Sequence, residues 1–200
     1  MSKILHIKSS IFTAGGYSGQ LTDKFVKNLV KKNANADVVV RDFAKDGVPH
    51  LDEARFMSFL TQPEARTEEQ DKVVAYSDAL IKELKEADVI VLGLPMYNLG
   101  IPSNLKAYFD HIGRAGETFQ YTETGPVGLV TGKKVYVVAT RGGNYQGTPY
   151  DTQTGYINVF LGFLGITDVE FVYAEGLNMG EEAKATALEA GITQLEKIAS

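Results

Sequence analysis

The chain of 200 residues contains no cysteine. Disulfides, a thiolate nucleophile and a cysteine-based metal site are therefore excluded, and any redox chemistry has to come from a bound cofactor. Its three histidines, His6, His50 and His111, do not have the spacing of metal ligands, so we expect no metal site.

Long apolar runs and an excess of basic charge are also missing. No run of about 18 apolar residues is present to span a bilayer, and the first residues lack the pattern of a signal peptide. We therefore expect a cytoplasmic protein without a membrane segment. The formal net charge is −5 and the Lys and Arg residues are scattered, which argues against nucleic-acid binding. The length and the 44% hydrophobic content predict one domain over residues 1–200.

Five apolar segments of strand length alternate with helical patterns. The segments are residues 3–8, 37–43, 88–94, 133–140 and 168–176. The first four are rich in Val and Ile, which is typical of strands buried on both faces of a parallel sheet. The pattern predicts an α/β fold, a doubly wound five-stranded parallel sheet with helices on both faces. Such sheets bind ligands at the carboxyl ends of their strands.

Two segments depart from this alternation. Residues 44–66 form a longer connection, in which we expect a short helix around residues 52–60, followed by a helix that begins at Thr67. Residues 118–134 are a Gly-, Thr- and Pro-rich insertion, for which we expect a hairpin or an irregular flap.

The segment after the first strand, SSIFTAGGYSGQ (9–20), has the composition of an anion site. Its serines supply hydroxyl groups, its glycines allow close approach of backbone amides, and a helix is predicted to begin near residues 18–21. The lack of Lys and Arg in the segment suits a monophosphate held by hydroxyls and amides. The spacing fits neither a dinucleotide fingerprint nor a P-loop. A flexible Ser/Gly loop is the alternative.

The segments after the third and fourth strands suit a flat heterocycle. In PMYN (95–98), Met96 and Tyr97 offer apolar contact and Asn98 offers both a donor and an acceptor. The alternative is an ordinary turn with Met96 and Tyr97 in the core. TRGG (140–143) offers backbone amides close to a planar ligand, although Arg141 is equally well interpreted as a surface charge. A phosphate and a flat ring together indicate flavin mononucleotide, FMN.

Several longer motifs make the sequence similar to a known family. They are SKILHIKSS, PMYN…LK.YFD, RAGETFQYTETGPVGLVTGKK, RGG and FLGFLGITDV.FVYAEG. Over nearly its whole length the chain resembles the FMN-dependent NADH-azoreductases, which are related to the quinone reductases and have a flavodoxin-like fold. The resemblance implies a homodimer with one FMN per subunit at the interface. It also implies NADH or NADPH as the electron donor and quinones or aromatic azo compounds as acceptors, in a ping-pong reaction.

The same resemblance implies roles for individual residues. The implied cofactor-binding residues are Ser10, Gly16, Tyr17, Ser18, Met96, Tyr97, Asn98, Leu99, Thr140, Arg141, Gly142 and Gly143. The implied substrate-side residues are Tyr121 and Phe163, from the partner chain, and Tyr145 is a further candidate. Leu99 and Tyr145 depart from the family pattern, which often has an aromatic residue and a histidine there. No side chain is expected to act as an acid or base, since the flavin performs the chemistry.

Two other functions are compatible with the fold class. A flavodoxin-type electron carrier would dock through strong acidity, which a net charge of −5 does not provide. A phospho-acceptor signalling domain would need clustered acidic residues after the first strand, where Ser9 and Ser10 stand.

Overall fold

The computed structural model describes residues 2–200, and five parallel strands form its central sheet in the order β2-β1-β3-β6-β7. The strands in chain order are β1 (Lys3–Lys8), β2 (Asp37–Asp42), β3 (Val89–Pro95), β4 (Phe119–Thr122), β5 (Gly125–Gly128), β6 (Lys134–Thr140) and β7 (Asp168–Ala174). The order of the central strands is the flavodoxin-like one, so the predicted fold is confirmed. Pro95, expected in the following turn, is the last residue of β3.

Six α-helices accompany these strands within residues 2–200. They are α1 (Tyr17–Lys32), α2 (Glu53–Leu60), α3 (Glu68–Glu86), α4 (Ser103–Ile112), α5 (Thr152–Leu164) and α6 (Glu181–Ala199), with a short 3₁₀ turn at Pro63–Ala65. The short helix expected around residues 52–60 is α2. The helix start expected at Thr67 is confirmed by a capping box, in which Thr67 and Gln70 satisfy each other's backbone N–H groups. No helix in this part of the chain is both long enough and apolar enough to cross a membrane.

The core lies in two layers, one on each face of the sheet. On one face, Phe25 of α1 packs in a cluster with Val91 of β3. On the other face, Leu92 of β3 packs in a cluster with Leu105 of α4. Successive residues of β3 thus face opposite layers, as the twofold periodicity of a strand requires, and a strand buried on both faces has to be apolar throughout.

The insertion forms an antiparallel hairpin of β4 and β5, in which Phe119 pairs with Gly128. It is fixed to the end of α5, where the Val130 N–H donates to the Leu164 carbonyl at 2.8 Å. A Cβ atom on Gly128 would lie 2.0 Å from the backbone nitrogen of Gly165, so only glycine allows this contact. The expectation of a hairpin is confirmed.

Four segments leave the carboxyl ends of neighbouring central strands and meet at one edge of the sheet. We call them the β1 loop (residues 9–16), the β3 turn (residues 95–100), the β6 loop (residues 141–151) and the β7 loop (residues 175–180). The edge they share is where a doubly wound sheet binds its ligand.

Candidate functional site

A cavity of about 240 Å³ opens between these four segments. The predicted cofactor residues that line it are Ser10, Gly16, Tyr17, Met96, Tyr97, Thr140, Arg141 and Gly142. The other four predicted ones, Ser18, Asn98, Leu99 and Gly143, adjoin these residues in the chain but lie outside the lining. The structure therefore brings three sequence segments that were selected separately to one cavity.

The β1 loop is closely packed at Gly16 and open at Gly15. A Cβ atom on Gly16 would lie 2.3 Å from the Ser10 Oγ and 2.8 Å from the Ser10 Cβ, whereas one on Gly15 would meet nothing within 4 Å. The Ser10 Oγ accepts a hydrogen bond from the Phe12 N–H at 3.1 Å. A side chain at position 16 would therefore displace Ser10 and the bond that shapes the loop.

Ser18, in the first turn of α1, has a buried hydroxyl without a partner. The residue is 1% exposed, and its Oγ makes no hydrogen bond within the described residues. Leaving a buried hydroxyl unpaired costs about 1–3 kcal/mol. No side chain caps α1 at Gly16 and no acidic residue lies in its first turn. The amides and the positive dipole end of this helix are thus available to an anion.

The β3 turn has an unusual backbone. Tyr97 and Gly100 exchange two backbone hydrogen bonds, at 3.2 and 3.0 Å, and between them Asn98 and Leu99 have φ values of 49° and 58°. The left-handed region costs an L-residue about 1–2 kcal/mol. Met96 and Tyr97 are partly exposed and line the cavity, so the interpretation of these two residues as core residues is wrong.

The β3 turn is joined to the β1 loop through one phenol group. The Tyr97 Oη lies 3.2 Å from the Ser10 Oγ and accepts a hydrogen bond from the Ile11 N–H at 3.3 Å. The phosphate-type loop and the ring-type turn that the sequence predicts therefore form one continuous wall.

The β6 loop runs alongside the β7 loop, to which its backbone is paired. The carbonyls of Gly142 and Gly143 accept hydrogen bonds from Asn178 at 2.9 Å and from Gly176 at 3.2 Å. Asn178 also lines the cavity, and its Nδ2 would lie 2.5 Å from a Cβ atom on Gly142. Asn178 and its neighbour Leu177 were not predicted from the sequence. They follow β7, which ends at the same edge of the sheet, and ligands bind where parallel strands end.

The side chain of Arg141 is buried and bonded within the protein, so the interpretation of Arg141 as a surface charge is wrong. The residue is 1% exposed, and its guanidinium donates to Asp151 at 2.7 Å and to Glu175 at 3.0 Å. Burial opposes ionisation of Asp151, but hydrogen bonds from Arg141 and Thr154 outweigh it and hold the pKa of the carboxyl below its ordinary value. Arg141 thus lines the cavity, but the charge of its guanidinium is neutralised by Asp151 and Glu175.

The predicted substrate-side residues lie in two places. Tyr121 and Phe163 both pack against Phe119, with ring centroids 5.4 and 4.2 Å from it, and neither lines the cavity. Tyr145 belongs to the β6 loop and folds back on it, with its Cζ 2.9 Å from the position of a Cβ atom on Gly143. Within one chain, only Tyr145 adjoins the predicted cofactor residues.

A larger and shallower cavity of about 690 Å³ lies between the β7 loop and the start of α6. Its lining includes Glu175, Glu181 and Glu182 and none of the predicted site residues. Three carboxylates disfavour a phosphate, so we assign the candidate site to the smaller cavity.

Comparisons with known proteins show the family and the fold of this chain. The family model described as "Flavodoxin-like fold" matches residues 2–199. The chain is 57% identical over 187 residues to a Cellvibrio japonicus protein named FMN-dependent NADH:quinone oxidoreductase, with 94% of each chain covered. A protein of the same name from Alcanivorax borkumensis is 55% identical over 192 residues, covering 96% of this chain and 97% of its own.

Solved structures of azoreductases have the same fold throughout. One from Bacillus anthracis is 33% identical with a TM-score of 0.91, covering 100% of this chain and 99% of its own. Another from Bacillus anthracis, titled as an FMN-dependent NADH-azoreductase in complex with FMN, is 28% identical with a TM-score of 0.90 and coverages of 100% and 98%. The chain belongs to this flavodoxin-like family, which includes FMN-dependent NADH:quinone oxidoreductases and azoreductases.

Proposed function

We propose that this protein is an FMN-dependent oxidoreductase that uses NADH or NADPH to reduce quinones and to cleave aromatic azo compounds to amines. The names of its relatives support the enzyme class. The observation that carries the proposal for this chain is the unpaired, buried Ser18 hydroxyl at the free amino end of α1, beside the close contact of Gly16 and Ser10. These groups fit a phosphate, which accepts hydrogen bonds from hydroxyls and amides.

The residues fit FMN as a whole. Ser10 and the segment Gly16–Ser18 would bind the phosphate and the ribityl chain, because they combine free donors with close backbone approach. Met96–Leu99 would hold the ring, and Thr140–Gly143 would contact its polar edge through backbone groups, since the Arg141 guanidinium is engaged elsewhere. When bound, FMN supplies two-electron redox chemistry between the nicotinamide and the acceptor.

The protein's own groups place and shield the cofactor. Tyr97 joins the β3 turn to the β1 loop, so these two segments are held in a fixed position relative to each other. Phe12, which lines the cavity, and Leu99, which is close to the lining residues in the chain, present exposed apolar surface, which suits flat aromatic substrates. We propose that donor and acceptor use the same open mouth in turn, which gives ping-pong kinetics.

The proposed oligomer is a homodimer in which Tyr121 and Phe163 of one chain face the cofactor of the other. This is supported by the separation of those rings from the cavity in their own chain, and by the 74% exposure of Tyr121. A groove beside Tyr121 offers apolar side chains for burial between subunits, namely Phe56, Phe59 and Leu60, next to the charged Asp110, Arg114 and Glu117. We further propose that residues 1–200 act as one FMN-binding domain and that the dimer is cytoplasmic.

The test is spectroscopic and kinetic. Protein from flavin-replete cells is expected to be yellow, and the apoprotein is expected to bind FMN in a fluorescence titration. With menadione, varied NADH should give parallel double-reciprocal lines. Methyl red should consume two NADH per azo bond, whereas the quinone consumes one. A protein that binds FMN but shows negligible NADH oxidation with these acceptors would be an electron carrier. An apoprotein that does not bind FMN at micromolar concentrations would contradict the proposal.

Light scattering and cell fractionation test the dimer and its location. Tyr121→Ala is expected to raise KM for the acceptor without changing FMN stoichiometry. Val40→Ala serves as a comparison, because Val40 is also an exposed apolar residue but lies on β2 and lines neither the cavity nor the groove beside Tyr121.

A further inference from the structure

The side chain of Gln153, in the first turn of α5, joins the β6 loop to both ends of the β3 turn. The residue has no exposed surface. Its Nε2 donates to the carbonyl of Pro95 at 2.9 Å and to the carbonyl of Gly100 at 3.0 Å. Its Oε1 accepts a hydrogen bond from the Arg141 Nε at 3.2 Å. Donors and acceptor of the amide are all engaged.

The direction of this amide is fixed by Arg141. A guanidinium group has only donors, so the oxygen of Gln153 has to face it and both N–H bonds have to face the turn. Arg141 is itself held by Asp151 and Glu175 and lies over the ring of Tyr173, at 5.1 Å from its centroid. The amide therefore has one orientation available.

The β3 turn needs such support. Asn98 and Leu99 have φ values of 49° and 58°, in the left-handed region, which Asn tolerates but which strains Leu. Pro95 and Gly100 bracket the strained residues, and their carbonyls both accept from Gln153. Without the amide, the Pro95 carbonyl would lose a buried donor and the Gly100 carbonyl would keep only the hydrogen bond from the Tyr97 N–H. The left-handed conformation would then lose its side-chain support.

We infer that Gln153 is a positioning residue, which acts through the β3 turn to set its conformation for the flavin ring; this inference rests on the proposed function. Gln153 does not line the cavity and so does not touch the cofactor itself. Its effect on binding has to pass through the backbone of residues 95–100.

The first experiment compares Gln153→Met with Ser77→Ala as a matched control. Ser77 is equally buried and donates to the carbonyl of His111 at 2.7 Å, away from the site. In the apoprotein, we expect Gln153→Met to speed hydrogen exchange of the Tyr97 and Gly100 amides about tenfold or more. In the holoprotein, we expect FMN to bind about 10- to 100-fold more weakly, with an altered visible circular dichroism of the flavin.

Gln153→Glu is the second variant, and it also serves if the methionine variant does not fold. A carboxylate still accepts from Arg141 but donates nothing to Pro95 and Gly100. We expect it to reproduce the faster exchange and the weaker binding. A glutamate variant that matches the wild type in both would overturn the inference.

The two proposals fail in different ways. If the wild-type protein does not bind FMN, the proposed function fails, whatever the variants do. If the wild type binds FMN but Gln153→Met only lowers the melting temperature, with turn exchange, flavin dichroism and affinity equal to those of Ser77→Ala, Gln153 is merely structural and the inference fails alone.

Discussion

The β1 loop and the β6 loop border the same cavity, but they use their polar groups in opposite ways. The β1 loop is exposed over residues 11–15 and leads to a helix start with free amides and the unpaired hydroxyl of Ser18. In the β6 loop, Asp151 caps α5 and also binds Arg141, and Glu175 accepts the N–H groups of Tyr145 and Gln146. The β1 loop and the helix start after it therefore have hydrogen-bond donors available for a ligand, whereas the polar groups of the β6 loop are bonded within the protein.

The difference also has an electrostatic side. In the β6 loop, one buried guanidinium is set against two carboxylates, so that corner has no free positive charge for a phosphate. The β1 loop has no charged side chain at all, and its attraction for an anion comes from amides and the helix dipole. Segments that bind a ligand can thus be distinguished from segments that support them, because the polar groups of the supporting segments already have hydrogen-bond or ion-pair partners within the protein.

The largest expected effect tests the support role of the β6 loop. Arg141→Met leaves Asp151 and Glu175 without their buried partner, and we expect the apoprotein to lose about 3–5 kcal/mol of unfolding free energy. Urea unfolding of the apoprotein measures this. Lys72→Met removes the exposed ion pairs with Glu68 and Glu69 and should leave stability nearly unchanged, because exposed ion pairs contribute little. An Arg141→Met apoprotein as stable as the wild type would contradict the comparison.

The sequence predicts the fold well because its signals are local. Strands buried on both faces have to be apolar along their whole length, and their alternation with helices predicts a doubly wound parallel sheet. The flavodoxin-like form of that sheet was implied by the family resemblance. The Ser/Gly composition of the β1 loop is also a local signal, and the close contact of Ser10 with Gly16 agrees with it.

The roles of Arg141 and Gln153 are not local. Gln153 bonds to Pro95, 58 residues away, and Arg141 to Glu175, 34 residues away. In the sequence, an arginine between a strand and two glycines looks the same whether its side chain faces a ligand, the solvent or two buried carboxylates. Asn178 was missed for another reason. The predicted site was built from the segments after the first, third and fourth predicted strands, and the segment after the fifth, β7, was left out.

The next expected effect tests the close packing of the β1 loop. Gly16→Ala places a Cβ atom against Ser10 and should weaken FMN binding about 10- to 100-fold, since overpacking costs about 1–3 kcal/mol. A fluorescence titration of the apoprotein measures this. Gly15→Ala is the matched control, because its Cβ atom meets open space and binding should be unchanged. Equal affinities of the two variants would show that the close contact does not shape the site.

The smallest expected effect separates two buried serines that look alike in the sequence. Ser9 and Ser18 are both 1% exposed, but the Ser9 Oγ donates to the carbonyl of Gly93 at 2.7 Å, whereas the Ser18 Oγ has no partner within residues 2–200. Ser9→Ala should therefore cost the apoprotein about 1 kcal/mol, and Ser18→Ala should cost it nothing or stabilise it slightly.

The order should reverse for cofactor binding. Ser18→Ala removes a hydroxyl that the protein leaves free and is expected to weaken FMN binding about tenfold, since a hydrogen bond to a charged group contributes about 1.5 kcal/mol or more. Ser9→Ala should leave FMN affinity within about twofold, because its hydroxyl is already engaged within the protein. Unfolding of the apoproteins and FMN titration of both variants give four numbers. If the same substitution both destabilises the apoprotein and weakens FMN binding more than the other, free and internally bonded hydroxyls do not have the separate roles proposed for them.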